Sequence, residues 1–199
     1  LTKDQLKAIN EINDDLRSGQ KMFRLLQGDV GSGKTIVALT SILNVINSKF
    51  QVAFMAPTEI LAQQHYTLAK RLLPDNVKID ILTSKTDNKI RKKIINDLEN
   101  HQIDLLIGTH SLFQNKINYR KLGLIIIDEQ HKFGVKQRKK LSDKGGKNCD
   151  ILVMSATPIP RTMIMTIFGD MDVSIIKSKP KNRKDITTLS KFCLLYTSP

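Results

Sequence analysis

Cysteine is nearly absent from this chain. Cys149 and Cys193 are the only two in 199 residues, and they match neither a disulfide framework nor a metal-ligand spacing. A reducing, cytoplasmic compartment is therefore the simpler expectation. Long apolar runs are missing too. None approaches the ~18 residues that a membrane span requires, and no signal peptide is recognisable, so no membrane partner is expected. Acidic residues are in deficit, 19 Asp and Glu against 32 Lys and Arg, a net charge of +13. Such an excess fits a polyanionic partner. Yet lysine outnumbers arginine 24 to 8 and Ile and Asn abound, a bias that an AT-rich genome also produces, so charge alone leaves both readings open. Aromatics make up only 5% of the chain, and no aromatic platform accompanies its basic clusters, so recognition by base stacking is not supported.

What is present is a rhythm of short apolar runs rich in Ile, Val and Leu, each followed by a turn and a longer stretch with helical periodicity. Strands are expected at 22–27, 52–55, 77–82, 104–108, 124–127, 151–154 and 173–176, and helices at 35–47, 59–73, 88–98 and 160–168. Gln5, Leu6, Ile9, Ile12 and Leu16 give the opening segment an amphipathic stripe, and 144–148 reads as a loop. There is no internal repeat. Strands apolar on both faces and separated by helices imply an α/β fold, a mostly parallel sheet of about seven strands with helices on both faces. In such sheets ligands sit beyond the carboxyl ends of the strands.

Gly28-Asp-Val-Gly-Ser-Gly-Lys-Thr35 follows one of these strands and opens a helix, and it fits the phosphate-binding pattern G-x-x-x-x-G-K-[ST]. The pattern arises by chance in roughly one chain in a hundred of this length. Its glycines let successive backbone N–H groups converge on phosphate oxygens, and the helix N-terminus adds a favourable dipole. Gly28, Asp29, Val30, Gly31, Ser32 and Gly33 would form the cradle, Lys34 would meet the β- and γ-phosphates, and the Thr35 hydroxyl would ligate Mg²⁺. A phosphate loop needs a second acid for the metal, delivered from another strand end, and Leu124-Ile-Ile-Ile-Asp128 supplies it. Glu129, one residue on, is suited to orient or deprotonate the attacking water. ATP and Mg²⁺ are the expected cofactors.

Gln130 and His131 extend the acid pair to Asp-Glu-Gln-His, and Ser155-Ala-Thr157 follows after a further strand. In order and spacing these three blocks resemble the first, second and third motifs of superfamily 2 helicases. Within that superfamily, Asp128-Glu-Gln-His-Lys-Phe-Gly-Val-Lys-Gln-Arg138, Ser155-Ala-Thr-Pro-Ile-Pro-Arg-Thr162 and Phe168-Gly-Asp-Met-Asp-Val-Ser174 resemble the RecG family of bacterial ATP-dependent DNA helicases. The related transcription-repair coupling translocases generally read Glu-Glu-His after the aspartate.

The resemblance implies a RecA-like motor lobe, an ATP-driven activity that remodels branched DNA such as replication forks and recombination intermediates, and a set of roles. Gln5 takes the place of the adenine-reading glutamine, the bland alternative being a solvated helix residue. His131, Ser155 and Thr157 would couple the nucleotide site to the DNA groove. Ala56-Pro-Thr-Glu-Ile-Leu-Ala-Gln-Gln-His65 resembles a block that contacts the nucleic-acid backbone, which makes Pro57 and Thr58 candidates, although Thr58 is equally suited to cap a helix. Gly108, Thr109 and His110 resemble a further such block. Contacts of this kind position a strand without reading sequence. Lys132 and Arg138, with Lys136, Lys139 and Lys140, follow the acid pair where a DNA strand would pass; as a charge run they also suit a solvated face.

By the same resemblance, residues 1–176 are expected to be the first motor lobe of a longer, monomeric protein, with 177–192 a linker toward a second RecA-like lobe and a DNA-gripping wedge domain upstream. Lys177-Ser-Lys-Pro-Lys-Asn-Arg-Lys184 departs from the family, which commonly has acidic residues there. Residues 193–199 match no family pattern and read as non-native. Three other readings stay open: the related transcription-repair coupling translocase, a P-loop enzyme of another class, such as a small-molecule kinase, and a nucleic-acid-binding module with a vestigial ATP site.

Overall fold

The computed structural model describes residues 1–113, 117–128, 149–157 and 171–178. The expected helix at 160–168 and the loop at 144–148 lie outside the described residues, as do Glu129, Gln130, His131, Lys132 and Arg138.

Among the described residues seven strands form one sheet in the order β3-β4-β2-β5-β6-β1-β7, and every neighbouring pair is parallel. They are β1 (Phe23–Gly28), β2 (Gln51–Met55), β3 (Ile79–Leu82), β4 (Leu105–Gly108), β5 (Leu122–Asp128), β6 (Asp150–Ser155) and β7 (Asp172–Ile176). All seven coincide with the expected segments to within two residues. The helices are α1 (Lys3–Arg17), α2 (Lys34–Asn47), α3 (Glu59–Leu72) and α4 (Asn88–Glu99). A short 3₁₀ helix, His110–Phe113, was not foreseen.

The two-residue period of each strand sorts its side chains between two cores. Leu26, Phe54, Ile107, Leu124, Ile126 and Met154 face a core shared with α1, α2 and α3. Leu25, Met55, Leu106, Ile125, Ile127 and Val153 face a second core, to which α4 contributes Ile94 and Leu98. Burial on both faces explains why the central strands read as continuous apolar runs rather than alternating ones. In α1 the expected stripe faces inward except at one position: Gln5, Ile9 and Ile12 are buried and Leu16 packs partly against the core, whereas Leu6 points to solvent.

Helix starts follow local chemistry. Thr2 caps α1 in a reciprocal box with Gln5, and Thr58 caps α3 by accepting from the Leu61 N–H at 3.3 Å. Asp87 caps α4. Helix α2 is the exception, with Gly33 in the left-handed region at its N-cap and no side chain capping it.

A buried cation ties the sheet edge to α1. Arg24, on β1, donates from Nε to Asp15 at 2.6 Å and from Nη1 to Ser174 Oγ at 3.0 Å, with Glu11 3.7 Å away. Ser174 in turn donates to Glu11. The network joins α1, β1 and β7.

Candidate nucleotide and nucleic-acid site

Strands β5, β6 and β1 are neighbours, so the ends of all three come together on one edge of the sheet. Gln27 pairs in register with Ser155, and Asp128 with Met154. Segments distant in sequence, residues 28–35, 128 and 155–157, thus bring the phosphate loop, the acid and the Ser-Ala-Thr turn to adjacent positions.

The phosphate loop is held in a curl. Asp29 and Val30 are exposed at its tip, Gly31 has φ +77° and Gly33 φ +88°. A Cβ at Gly33 would lie 2.2 Å from Gln5 Nε2, so a side chain there would displace the Gln5 amide, and the positive φ is strained for any L residue. Gln5 itself is only 4% exposed, which removes the reading of a solvated helix residue. Its Oε1 accepts from the Thr2 N–H at 2.8 Å and its Nε2 donates to the Ser32 carbonyl at 2.8 Å, clamping α1 to the loop. Lys34 folds back onto its own loop, Nζ donating to the carbonyls of Gly28 at 2.6 Å and Asp29 at 3.1 Å. Thr35, on the first turn of α2, is half-buried beside it.

Whether this loop suits a phosphate can be tested on its polar atoms. Buried polar groups are nearly always hydrogen-bonded, and Gln51 obeys the rule: its amide nitrogen donates to Leu98 and Ile103 carbonyls and its oxygen accepts from Lys121. Among the described residues Ser32 Oγ, in the middle of the loop, and Tyr119 Oη are the buried side-chain atoms with no partner. An orphaned hydroxyl, an uncapped helix N-terminus and a lysine close by form a donor set that fits an anionic ligand.

Beside the loop, Ser155 and Thr157 close a compact turn. Their hydroxyls are 3.1 Å apart, the Thr157 N–H donates to Ser155 Oγ at 3.3 Å, and the Thr157 carbonyl accepts from Gln27 at the end of β1. Ser155 is buried and Thr157 exposed. One strand over, Asp128 continues the Leu124–Ile126 side of β5 and so turns toward the α2–α3 face. Its Oδ2 lies 2.8 Å from Nε2 of His65, on α3, and both side chains are nearly buried. From sequence, His65 carries no role beyond closing the 56–65 block. The signal was its place on the stripe Ala62–His65–Ala69, whose alanines are fully buried: a polar side chain on an inward face requires a partner.

The residues expected on the nucleic-acid side sit at the ends of β2 and β4. Pro57 is half-buried, Thr58 is exposed and already engaged as a helix cap, and Thr109 and His110 lie half-buried and exposed at the start of the 3₁₀ helix. Gly108 has a structural reason to be glycine, because a Cβ there would stand 2.0 Å from the Leu82 carbonyl. In the basic cluster of α4 and its leading loop, Lys85 pairs with Glu59 at 3.2 Å and Arg91 donates to the Thr83 carbonyl at 2.7 Å, so part of that charge secures α3 and β3. At the far edge, the Ser178 and Lys177 N–H groups donate to Asp4, at 2.7 and 3.0 Å. The backbone bond from Ser178 holds the Asp4 carboxyl below the usual carboxylate range, and it ties the chain leaving β7 to the residue next to Gln5.

A DEAD/DEAH box helicase family model matches residues 2–166, most of the chain. The chain belongs to the DEAD/DEAH box helicase family. Its similarity to RecG runs well beyond the motifs. It is 50% identical over 189 residues to the ATP-dependent DNA helicase RecG of Borreliella burgdorferi, covering 94% of this chain and 27% of that protein. The RecG of Thermotoga maritima is also 50% identical over 190 residues, covering 95% of this chain and 24% of the relative. In three dimensions the chain resembles RecG bound to a three-way DNA junction, with a TM-score of 0.81 and 45% identity over 94% of this chain and 25% of that one. This helicase domain thus spans about a quarter of the length of the relatives it matches. Among the described residues no helix is long and apolar enough to cross a membrane.

Proposed function

We propose that this chain is the first motor lobe of a RecG-type translocase, binding Mg·ATP beyond the ends of β1, β6 and β5 and using its hydrolysis to remodel branched DNA. One observation carries the reading. The uncapped α2 N-terminus and the buried, partnerless Ser32 hydroxyl share one loop, and that loop lies on the same sheet edge as Asp128.

Lys34 and the loop N–H groups would hold the phosphates, with Thr35 and Asp128 holding Mg²⁺ and Gln5 reading the adenine. Bound Mg²⁺ neutralises charge on the β- and γ-phosphates. Glu129 would orient water, and His131 with the Ser155–Thr157 turn would pass the nucleotide state to DNA. Pro57, Thr58, Gly108, Thr109, His110, Lys132 and Arg138 would follow the DNA backbone. Residues 1–176 form the lobe, 177–192 lead to a second RecA-like lobe, and 193–199 are foreign to the domain; a wedge domain upstream, a monomeric state and a cytoplasmic location complete the proposal.

An arginine supplied from a second lobe is worth about 10³–10⁵ in rate. Residues 1–199 alone should therefore bind Mg·ATP, hydrolyse it slowly and unwind nothing. The test is ATP turnover by a form that includes the second lobe, with and without forked DNA, for wild type and Glu129→Gln. Forked DNA should raise turnover, and the substitution should lower it by about 10²-fold or more, the scale typical of losing a positioned acid–base group. Indifference to DNA would favour the small-molecule kinase class, and unchanged hydrolysis in Glu129→Gln would remove that residue from the site.

A further inference from the structure

His65 is one of four histidines in the chain, and its position is unusual for one. Helix α3 runs across the face that Asp128 turns toward, and Ala62 and Ala69 flank His65 on its inward stripe, small enough to let the helix lie close to the sheet. The imidazole meets Phe54 edge-on, with ring centroids 4.6 Å apart and planes at 70°. Phe54 pairs in register with Ile126, two residues before Asp128 on the same side of β5. The ring is therefore held by β2 and its far nitrogen reaches β5. An ionised carboxylate can only accept, so Nε2 carries the proton in this 2.8 Å bond. Among the described residues His65 is the one hydrogen-bond partner of the Asp128 carboxylate, and it engages Oδ2 alone.

A carboxylate at a strand end can rotate about its last torsion, and a metal site loses affinity when its ligand must be frozen on binding. Side chains that hold a ligating carboxylate from behind remove that cost, and their loss typically lowers metal affinity or activity 10–100-fold. We propose that His65 is a positioning residue for the divalent-metal site: its Nε2–H fixes the Asp128 carboxylate on α3 and leaves Oδ1 to face the metal. The inference rests on the Mg·ATP reading above. It has one structural consequence. Thr58, a candidate DNA contact, is the N-cap of the same helix, so His65, which holds the acid, and the DNA-side block share one rigid element.

His65 also packs, and the test must separate the donor from the ring. His65→Gln keeps an N–H donor and loses the ring, while His65→Phe keeps the ring against Phe54 and loses the donor. The measurement is Mn²⁺ affinity of this chain in the presence of a slowly hydrolysed ATP analogue, read from the electron paramagnetic resonance signal of free Mn²⁺. Nucleotide affinity in EDTA and the urea unfolding midpoint are followed in parallel. His65→Phe should weaken Mn²⁺ about 10-fold, at the lower end of the range for such partners, with metal-free nucleotide affinity within about twofold of wild type on the same grounds. His65→Gln should recover most of the loss although its unfolding midpoint falls further. The reverse pattern, with Phe near wild type and Gln defective, would show His65 to be a packing residue and overturn the inference. Asp128→Asn separates the two levels. If it weakens Mn²⁺ while His65→Phe does not, only the role of His65 falls; if Asp128→Asn binds Mn²⁺ like wild type, the metal assignment falls and the inference with it. His65→Leu replaces His65→Phe should the latter not unfold cooperatively.

Discussion

The two halves of the sheet make their strand ends differently. In the half built from β5, β6, β1 and β7, polar side chains at the ends are buried and fixed: Gln5 clamps the phosphate loop, Ser155 closes its turn and His65 holds Asp128. In the half built from β2, β4 and β3, the corresponding ends are mostly backbone with exposed or half-buried hydroxyls: Thr58 is occupied as a cap, Gly108 is shaped by the Leu82 carbonyl, and the buried Ser111 hydroxyl donates to that same carbonyl. The side proposed for the nucleotide is thus organised in advance, as a site must be when it recognises one small, highly charged ligand. The side proposed for DNA offers a surface of main-chain ends, which suits a long polyanion gripped by its backbone.

Substitutions can break or sharpen that contrast. The largest effect is expected from Lys34→Ala, which removes the one cation of the phosphate loop: turnover with both lobes present should fall about 10²–10³-fold, as when one pre-placed electrostatic group is lost. Turnover within tenfold of wild type would mean that the loop is not pre-organised for phosphate. Next comes Arg24→Met, which strips the buried cation from Asp15 and Glu11. Breaking a buried ion pair costs about 3–5 kcal/mol, and partly exposed partners reduce this to about 2–3 kcal/mol, measured by urea denaturation. Loss below about 1 kcal/mol, the value of an exposed pair, would show that water already screens the network.

On the other half, Gly108→Ala should destabilise by about 1–3 kcal/mol, because the new Cβ meets a carbonyl that belongs to the sheet and cannot swing aside. An unchanged unfolding midpoint would mean that β3 and β4 part easily. Thr58→Ala should cost about 1 kcal/mol through loss of the α3 cap, and Thr58→Ser should restore it. Affinity for single-stranded DNA decides what else Thr58 does: a fall in Thr58→Ala that Thr58→Ser repairs only for stability would assign the threonine to DNA as well as to the helix.

The loop and the acid proposed for the nucleotide could be read from sequence because each is a short-range feature. Eight consecutive residues build the phosphate loop, and the isoleucines of β5 announce both a buried strand and the acid at its end. Helix α1 misled in part, since Leu6 obeys the apolar period yet is 47% exposed. Gln5 shows the limit from the other direction. Its place before the phosphate loop could be read, but whether it was solvated or clamped depended on Gly33, 28 positions away and lacking a side chain. Nothing near Arg24 in sequence announces Ser174, and nothing near His65 announces Asp128.

Sequence alone sufficed for the α/β class and for the positions of the seven described strands, because strand burial is written in the residues that perform it. Only the tertiary structure decided the strand order that brings β5, β6 and β1 together, the burial of Gln5 and Arg24, and the pairing of His65 with Asp128. Those follow from which helix covers which face, a choice made by the packing of the whole sheet and carried by no single segment.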